Sequence, residues 1–100
     1  MTVPIETTKW DVQDYLKTAE ARVAYLEAAF EDGDPKLISI ALGDVARSMG
    51  MTNVAKEAGI TREALYKSLS DKGDPKLSTL LGVLKALGLR VTVVSANEAA

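Results

Sequence analysis

Apolar positions recur at helical spacing along most of the chain. Between Ala19 and Asp32 they fall at Val23, Leu26, Ala29 and Phe30, with Glu20, Glu27 and Glu31 outside the stripe, which predicts an amphipathic helix that Thr18 can cap. A second stripe, Ile38, Ala41, Leu42, Val45 and Met49, predicts a helix from Pro35 to Met49. The junction between them is written in Gly33, Asp34 and Pro35, the residues suited to a helix exit, an N-cap and a first helical position. Before them, a short helix from about Asp11 to Lys17 offers Val12, Tyr15 and Leu16, and Trp10 reads as a core or staple residue. Residues 1–9, β-branched around Pro4, predict an extended arm or edge strand.

Near the other end, Leu77 to Leu87 predicts a helix with Leu77, Leu80, Leu81, Leu84 and Leu87 as its core face and Gly88 as its stop. The period then changes to two in Leu89-Arg-Val-Thr-Val-Val94, a short β-strand with Leu89, Val91 and Val93 on one side. A lone strand leaves backbone donors and acceptors unpaired, so it needs the N-terminal arm, its copy in a second subunit, or a different protein. Residues 95–100 are expected to fray.

The most informative stretch lies between these helices, over residues 52–69. Thr52 can cap a helix that runs to Ala58, Gly59 supplies a positive φ for the exit, and Thr61 can cap the next helix. Two short helices thereby meet at a corner, a helix-turn-helix. Val54, Ala55, Ala58, Ile60, Leu65 and Leu69 fall where such a pair buries its contacts, and a side chain larger than Ala55 would force the helices apart. The outward residues are Thr61, Arg62, Glu63, Tyr66, Lys67 and Ser70. Such a face fits a DNA major groove, with arginine reading guanine edges and lysine or tyrosine holding phosphates.

The string Gly-Asp-Pro-Lys-Leu occupies both 33–37 and 73–77. The flanks do not match as a tandem repeat would require, so it reads as one stop-and-start signal used twice. In the second copy Lys72, Gly73 and Lys76 form a flexible basic loop suited to phosphate contacts.

Composition narrows the partners. With 100 residues and 47% hydrophobic content, one domain with a modest core is expected. Cysteine is absent, which removes disulfides and thiolate metal sites, and no apolar run reaches membrane-spanning length or forms a signal peptide, so a cytoplasmic location is expected. The net charge of −2 argues against nucleic acid until it is divided: residues 1–35 hold eight acids and three bases (3 − 8 = −5), residues 36–100 nine bases and six acids (9 − 6 = +3). The helix-turn-helix lies in the basic part. Histidine is also absent, and no convergent carboxylate pair is evident, so neither catalysis nor a cofactor is expected; Asp32, Asp34 and Asp44 can be drawn around a cation, but helix caps account for the first two.

The helix-turn-helix, the run Gly-Asp-Val-Ala-Arg-Ser-Met-Gly-Met-Thr at 43–52, Arg-Glu-Ala-Leu-Tyr-Lys-Ser-Leu at 62–69 and Val-Leu-Lys-Ala-Leu-Gly-Leu-Arg-Val at 83–91 together resemble the addiction-module antidote proteins. These are HigA-like antitoxins with an Xre- or Cro-type helix-turn-helix, and the likeness extends from about Asp11 to Val93. It implies an all-α, lambda-repressor-like domain of five to six helices. It also implies a homodimer that represses its own operon and neutralises a RelE-superfamily toxin, an mRNA-cleaving ribonuclease. Carried over by position, Thr61, Arg62, Glu63, Tyr66 and Lys67 match the recognition-helix face. Phage-type repressors usually carry glutamine near the start of the first helix of the pair; here Asn53, beside Thr52, holds that place, and its shorter amide makes a phosphate contact less secure.

The chain therefore divides into an N-terminal arm (1–9), helical support (10–50), a helix-turn-helix (52–70), a C-terminal helix (77–88) and a strand (89–94). The expected DNA-binding residues are Thr52, Asn53, Thr61, Arg62, Glu63, Tyr66, Lys67, Ser70, Lys72 and Lys76, with Leu89, Val91 and Val93 at a dimer or partner interface. Two other readings stand beside the antitoxin: a stand-alone phage-like repressor, and an interaction module that has lost DNA binding.

Overall fold

In a computed structural model, residues 11–97 are described and carry six helices: α1 (Val12–Tyr15), α2 (Ala19–Asp32), α3 (Pro35–Met49), α4 (Met51–Ala58), α5 (Arg62–Ser68) and α6 (Leu77–Ala86). The arm at 1–9, Trp10 and the last three residues lie outside the described residues.

Local chemistry explains most of the boundaries. The Thr18 hydroxyl accepts from the Ala21 N–H at 3.1 Å and starts α2, which ends at Gly33 with φ of 81°. Asp34 then accepts from the Lys36 N–H at 3.0 Å and Pro35 takes the first position of α3.

The chain folds around α3. Leu42, Val45 and Ala46 are fully buried at its centre, with Leu16, Leu26 and Ala29 on one side and Val54, Ala55, Leu65 and Leu69 on the other. The α1–α2 side is fixed by polar bonds onto α3. Gln13 Nε2 donates to the Asp44 carbonyl at 3.1 Å, and the Tyr25 hydroxyl donates to Asp44 Oδ2 at 2.6 Å. Arg47 closes on the other carboxylate oxygen of Asp44 at 2.8 Å. Burial, reinforced by the Asp44 carboxylate, pushes the Tyr25 phenol up to about 12.

On the far side α3 touches the end of α5 almost backbone to backbone. At Gly43 an added Cβ would collide with the Leu69 carbonyl oxygen and sit 3.4 Å from the Leu69 Cβ. The absence of a side chain there sets how closely α5 approaches.

Several expectations need correction. Thr52 caps nothing: α4 begins one residue earlier, at Met51, with Gly50 as N-cap and no side-chain bond. The two Gly-Asp-Pro-Lys-Leu copies also differ. Around the second, α6 starts only at Leu77 behind Lys76, again without a side-chain cap, and the Gly73 φ is not positive. Gly73 instead packs against the Ser68 carbonyl at the end of α5, so its loop is held to that helix rather than free.

The buried face of α6 is turned from the leucine stripe. Val83, Leu84 and Leu87 are buried, whereas Leu77 and Leu81 face outward. The reason is at Gly82, where an added Cβ would lie 3.3 Å from the Ala58 carbonyl oxygen; the helix docks on its small residue. On α2 and α3, Val23, Phe30 and Met49 are likewise more exposed than their stripes imply. Finally, residues 89–94 form no strand: the Leu89 N–H turns back to the Leu84 carbonyl, and from Arg90 to Val94 no described residue pairs with the backbone.

Candidate nucleic-acid interface

The corner between α4 and α5 is built from three adjacent residues. Gly59 adopts φ of 78°, and its N–H satisfies the Ala55 and Lys56 carbonyls at the end of α4. The Ile60 N–H returns to the Ala55 carbonyl at 3.0 Å, which tucks Ile60 against the core. Thr61 then caps α5, its hydroxyl accepting from the Ala64 N–H at 3.0 Å. Behind the corner Ala55 and Leu65 are buried, so the pair is clamped through small and apolar contacts. The seven-residue α5 leaves Arg62, Glu63, Tyr66 and Lys67 exposed.

Arg62 and Tyr66, one helical turn apart, make a pair. The guanidinium carbon lies 5.4 Å from the ring centroid, and Nη2 donates to the phenolic oxygen at 3.4 Å. The hydrogen bond to Tyr66 pushes Arg62 further above its already high range, so the cation persists at any ordinary pH. The pair holds a planar set of donors at the start of α5, with hydrogen-bonding tips facing solvent.

The other expected residues divide by position. Thr52 and Asn53 are exposed on the first turn of α4, and Lys72 and Lys76 are exposed after α5. Ser70 is already engaged: its hydroxyl donates to the Lys67 carbonyl at 3.0 Å and accepts from the Lys72 N–H at 3.3 Å. That shapes the turn carrying Lys72 and leaves Ser70 little capacity for an outside ligand. Thr61 is similarly occupied by its capping bond. Glycines 43 and 73, which set the height of α5 on the fold, carry no polar signal and were not among the expected residues. Close backbone approach is their whole contribution.

The electrostatics are modest. Residues 52–76 carry five bases and four acids (5 − 4 = +1), so phosphate attraction at one such surface is weak and shape plus directed donors must carry more of any recognition. Leu89 is packed at the edge of the core, whereas Val91 and Val93 are exposed. The three-acid cation idea gains no geometry. Asp34 is an N-cap and Asp44 is held by Tyr25 and Arg47, but Asp32 caps no helix, and no group of three or more potential metal-ligating side chains converges among the described residues. No helix of the described chain is long and apolar enough to cross a membrane.

Among the described residues, the class defined by these features is an all-helical domain with a helix-turn-helix-like corner presenting an exposed polar face. The chain belongs to the addiction-module antidote family: residues 6–95 match the family model described as "probable addiction module antidote protein". An uncharacterized protein of Haemophilus influenzae is 42% identical over 84 residues, covering 84% of this chain and 87% of that relative. No solved structure matches the chain.

Proposed function

We propose that the chain is the antitoxin of a type II toxin–antitoxin module. In this reading it binds and neutralises a RelE-superfamily toxin, and as a dimer it represses the shared operon by reading operator DNA with α5. The observation that carries the DNA reading is the exposed Arg62–Tyr66 pair at the start of the helix that follows the Gly59 corner. An arginine so placed has the donor geometry for a guanine edge, while Lys67, Lys72 and Lys76 lie close in sequence for phosphates. Two copies about 34 Å apart would read successive major-groove turns, supplying the contacts that one short helix lacks. Family membership supports the toxin partner.

The test has two arms. In a gel-shift titration against the DNA upstream of the gene, Arg62→Ala is expected to weaken binding about tenfold or more while the circular dichroism spectrum is unchanged. Unaltered affinity rejects α5 as the reading element. Co-expression with a small basic protein encoded beside the gene should relieve that protein's toxicity; failure to do so removes the antitoxin role and leaves a repressor.

A further inference from the structure

Glu63 is the single acid of α5, whose other charged residues are Arg62 and Lys67. It is exposed, and its carboxylate enters no ion pair or hydrogen bond among the described residues. A glutamate four residues before a lysine is well placed to pair with it, yet Lys67 stands apart. Arg62, the adjacent cation, is turned to Tyr66 instead, with Nη2 3.4 Å from the phenolic oxygen. A free anion weakens a surface that only collects phosphates, since phosphates attract cations and repel carboxylates. It suits a surface that meets base edges.

The major groove offers a carboxylate few partners. Guanine presents two acceptors there, N7 and O6, and thymine an acceptor and a methyl group. Adenine sets the N7 acceptor beside its N6 donor, whereas cytosine shows the N4 donor with no acceptor of its own next to it. We infer that Glu63 determines specificity by accepting from a cytosine N4, within one base step of the guanine to which Arg62 donates. Consecutive Cα atoms are about 3.8 Å apart and stacked base pairs about 3.4 Å, so neighbouring residues at the start of one helix reach the same or adjacent pairs. The contact of Arg62 with Tyr66 keeps the guanidinium from folding back onto Glu63, and each residue retains its own base. Glu63 also lies in the first turn of α5, where an acid offsets the helix dipole, a role that needs no base and sets the contrary outcome. The inference rests on the proposed DNA reading and adds to it a second base and the residue that selects it.

The test selects duplexes from a pool with a randomised centre, using the full chain. Wild type should enrich a site in which a cytosine stands within one step of a guanine, and Arg62→Ala should lose the preference for that guanine. Glu63→Gln replaces two acceptors by one acceptor and a donor, the complement of adenine N6 and N7, so preference at the cytosine position should pass to adenine while the other positions hold. In competition gel shifts wild type should favour the cytosine duplex over the adenine duplex by about tenfold or more, and Glu63→Gln should reverse the order. Because Glu63 is exposed and bears no packing, helix content should stay as it is. A Glu63→Gln protein that selects the same bases as wild type would overturn the inference and leave Glu63 its place at the helix end. An equal gain of affinity for every duplex would overturn it too, as the mark of a carboxylate beside phosphates. In both cases wild type still enriches a site, so the DNA reading stands. A wild type that enriches no sequence overturns that reading itself and this inference with it.

Discussion

Replacing Gly43 by alanine sets two physical effects against each other. Gly43 lies inside α3, and intrinsic helix propensity alone predicts that alanine stabilises such a position by about 1 kcal/mol. The structure predicts the opposite sign. The new methyl would collide with the Leu69 carbonyl oxygen, which is backbone and cannot swing aside as a side-chain tip can. Nor can Leu69 retreat freely: its side chain is buried, and its N–H holds the Leu65 carbonyl at 3.0 Å to close α5. Overpacking of a core typically costs about 1–3 kcal/mol, so a net destabilisation of up to about 2 kcal/mol remains after the propensity gain. For a domain of this size each kcal/mol lowers Tm by about 4–8 °C. Thermal unfolding followed by far-ultraviolet circular dichroism reads the shift, with Ser78→Ala on the exposed side of α6 for comparison. A Gly43→Ala protein that melts higher than wild type would refute the close α3–α5 contact and the seating of α5 derived from it.

The remaining predictions test other supports of the same surface. Ala55→Leu, at a buried position between α4 and its neighbours, should destabilise by about 1–3 kcal/mol in a urea titration, and full wild-type stability would show that the corner is looser than described. Thr61→Ala removes the cap of α5 and should cost about 1 kcal/mol in the same titration, whereas Thr61→Ser should retain most of it. The Tyr25 phenol is raised in the folded chain to about 12 from an ordinary 10.0, so its contribution to stability is complete below about pH 10 and declines as pH rises towards 12. Phenolate absorbance should show a late-titrating component that Tyr25→Phe abolishes; absence of that component would count against the Tyr25–Asp44 contact.

What the sequence made legible is what neighbouring residues decide among themselves. Thr18, Asp34, Thr61, Gly33 and Gly59 act within a few residues of their own position, and each occupies the cap or left-handed site expected of it. The exposed face of α5 was legible for the same reason, since a cap and a left-handed glycine fix where the helix starts and helical spacing fixes which residues share a side. The two Gly-Asp-Pro-Lys-Leu copies mark where that reasoning stops. At 33–37 nothing distant competes, and the string ends one helix and begins another. At 73–77 the glycine is drawn against Ser68, and the following residues span the gap to α6 instead of capping it. The leucine stripe of α6 failed similarly, because a helix that docks through Gly82 turns Leu77 and Leu81 outward whatever their hydrophobicity.

These contrasts bear on how the α5 face came to be placed. No polar residue of that face holds the helix at its height on the fold; Gly43 and Gly73 let Leu69 and Ser68 come close, and Ala55 clamps the corner from behind. Substitutions among Glu63, Lys67 and Lys72 can therefore alter what the face recognises without moving it, because these side chains point to solvent and bear no packing. Arg62 and Tyr66 differ, since each holds the other, and changing one releases its neighbour. If α5 reads bases, the double substitution of Arg62 and Tyr66 should weaken operator binding by less than the product of the two single effects. If the residues act independently, the effects should simply multiply, and a double-mutant cycle distinguishes the two cases.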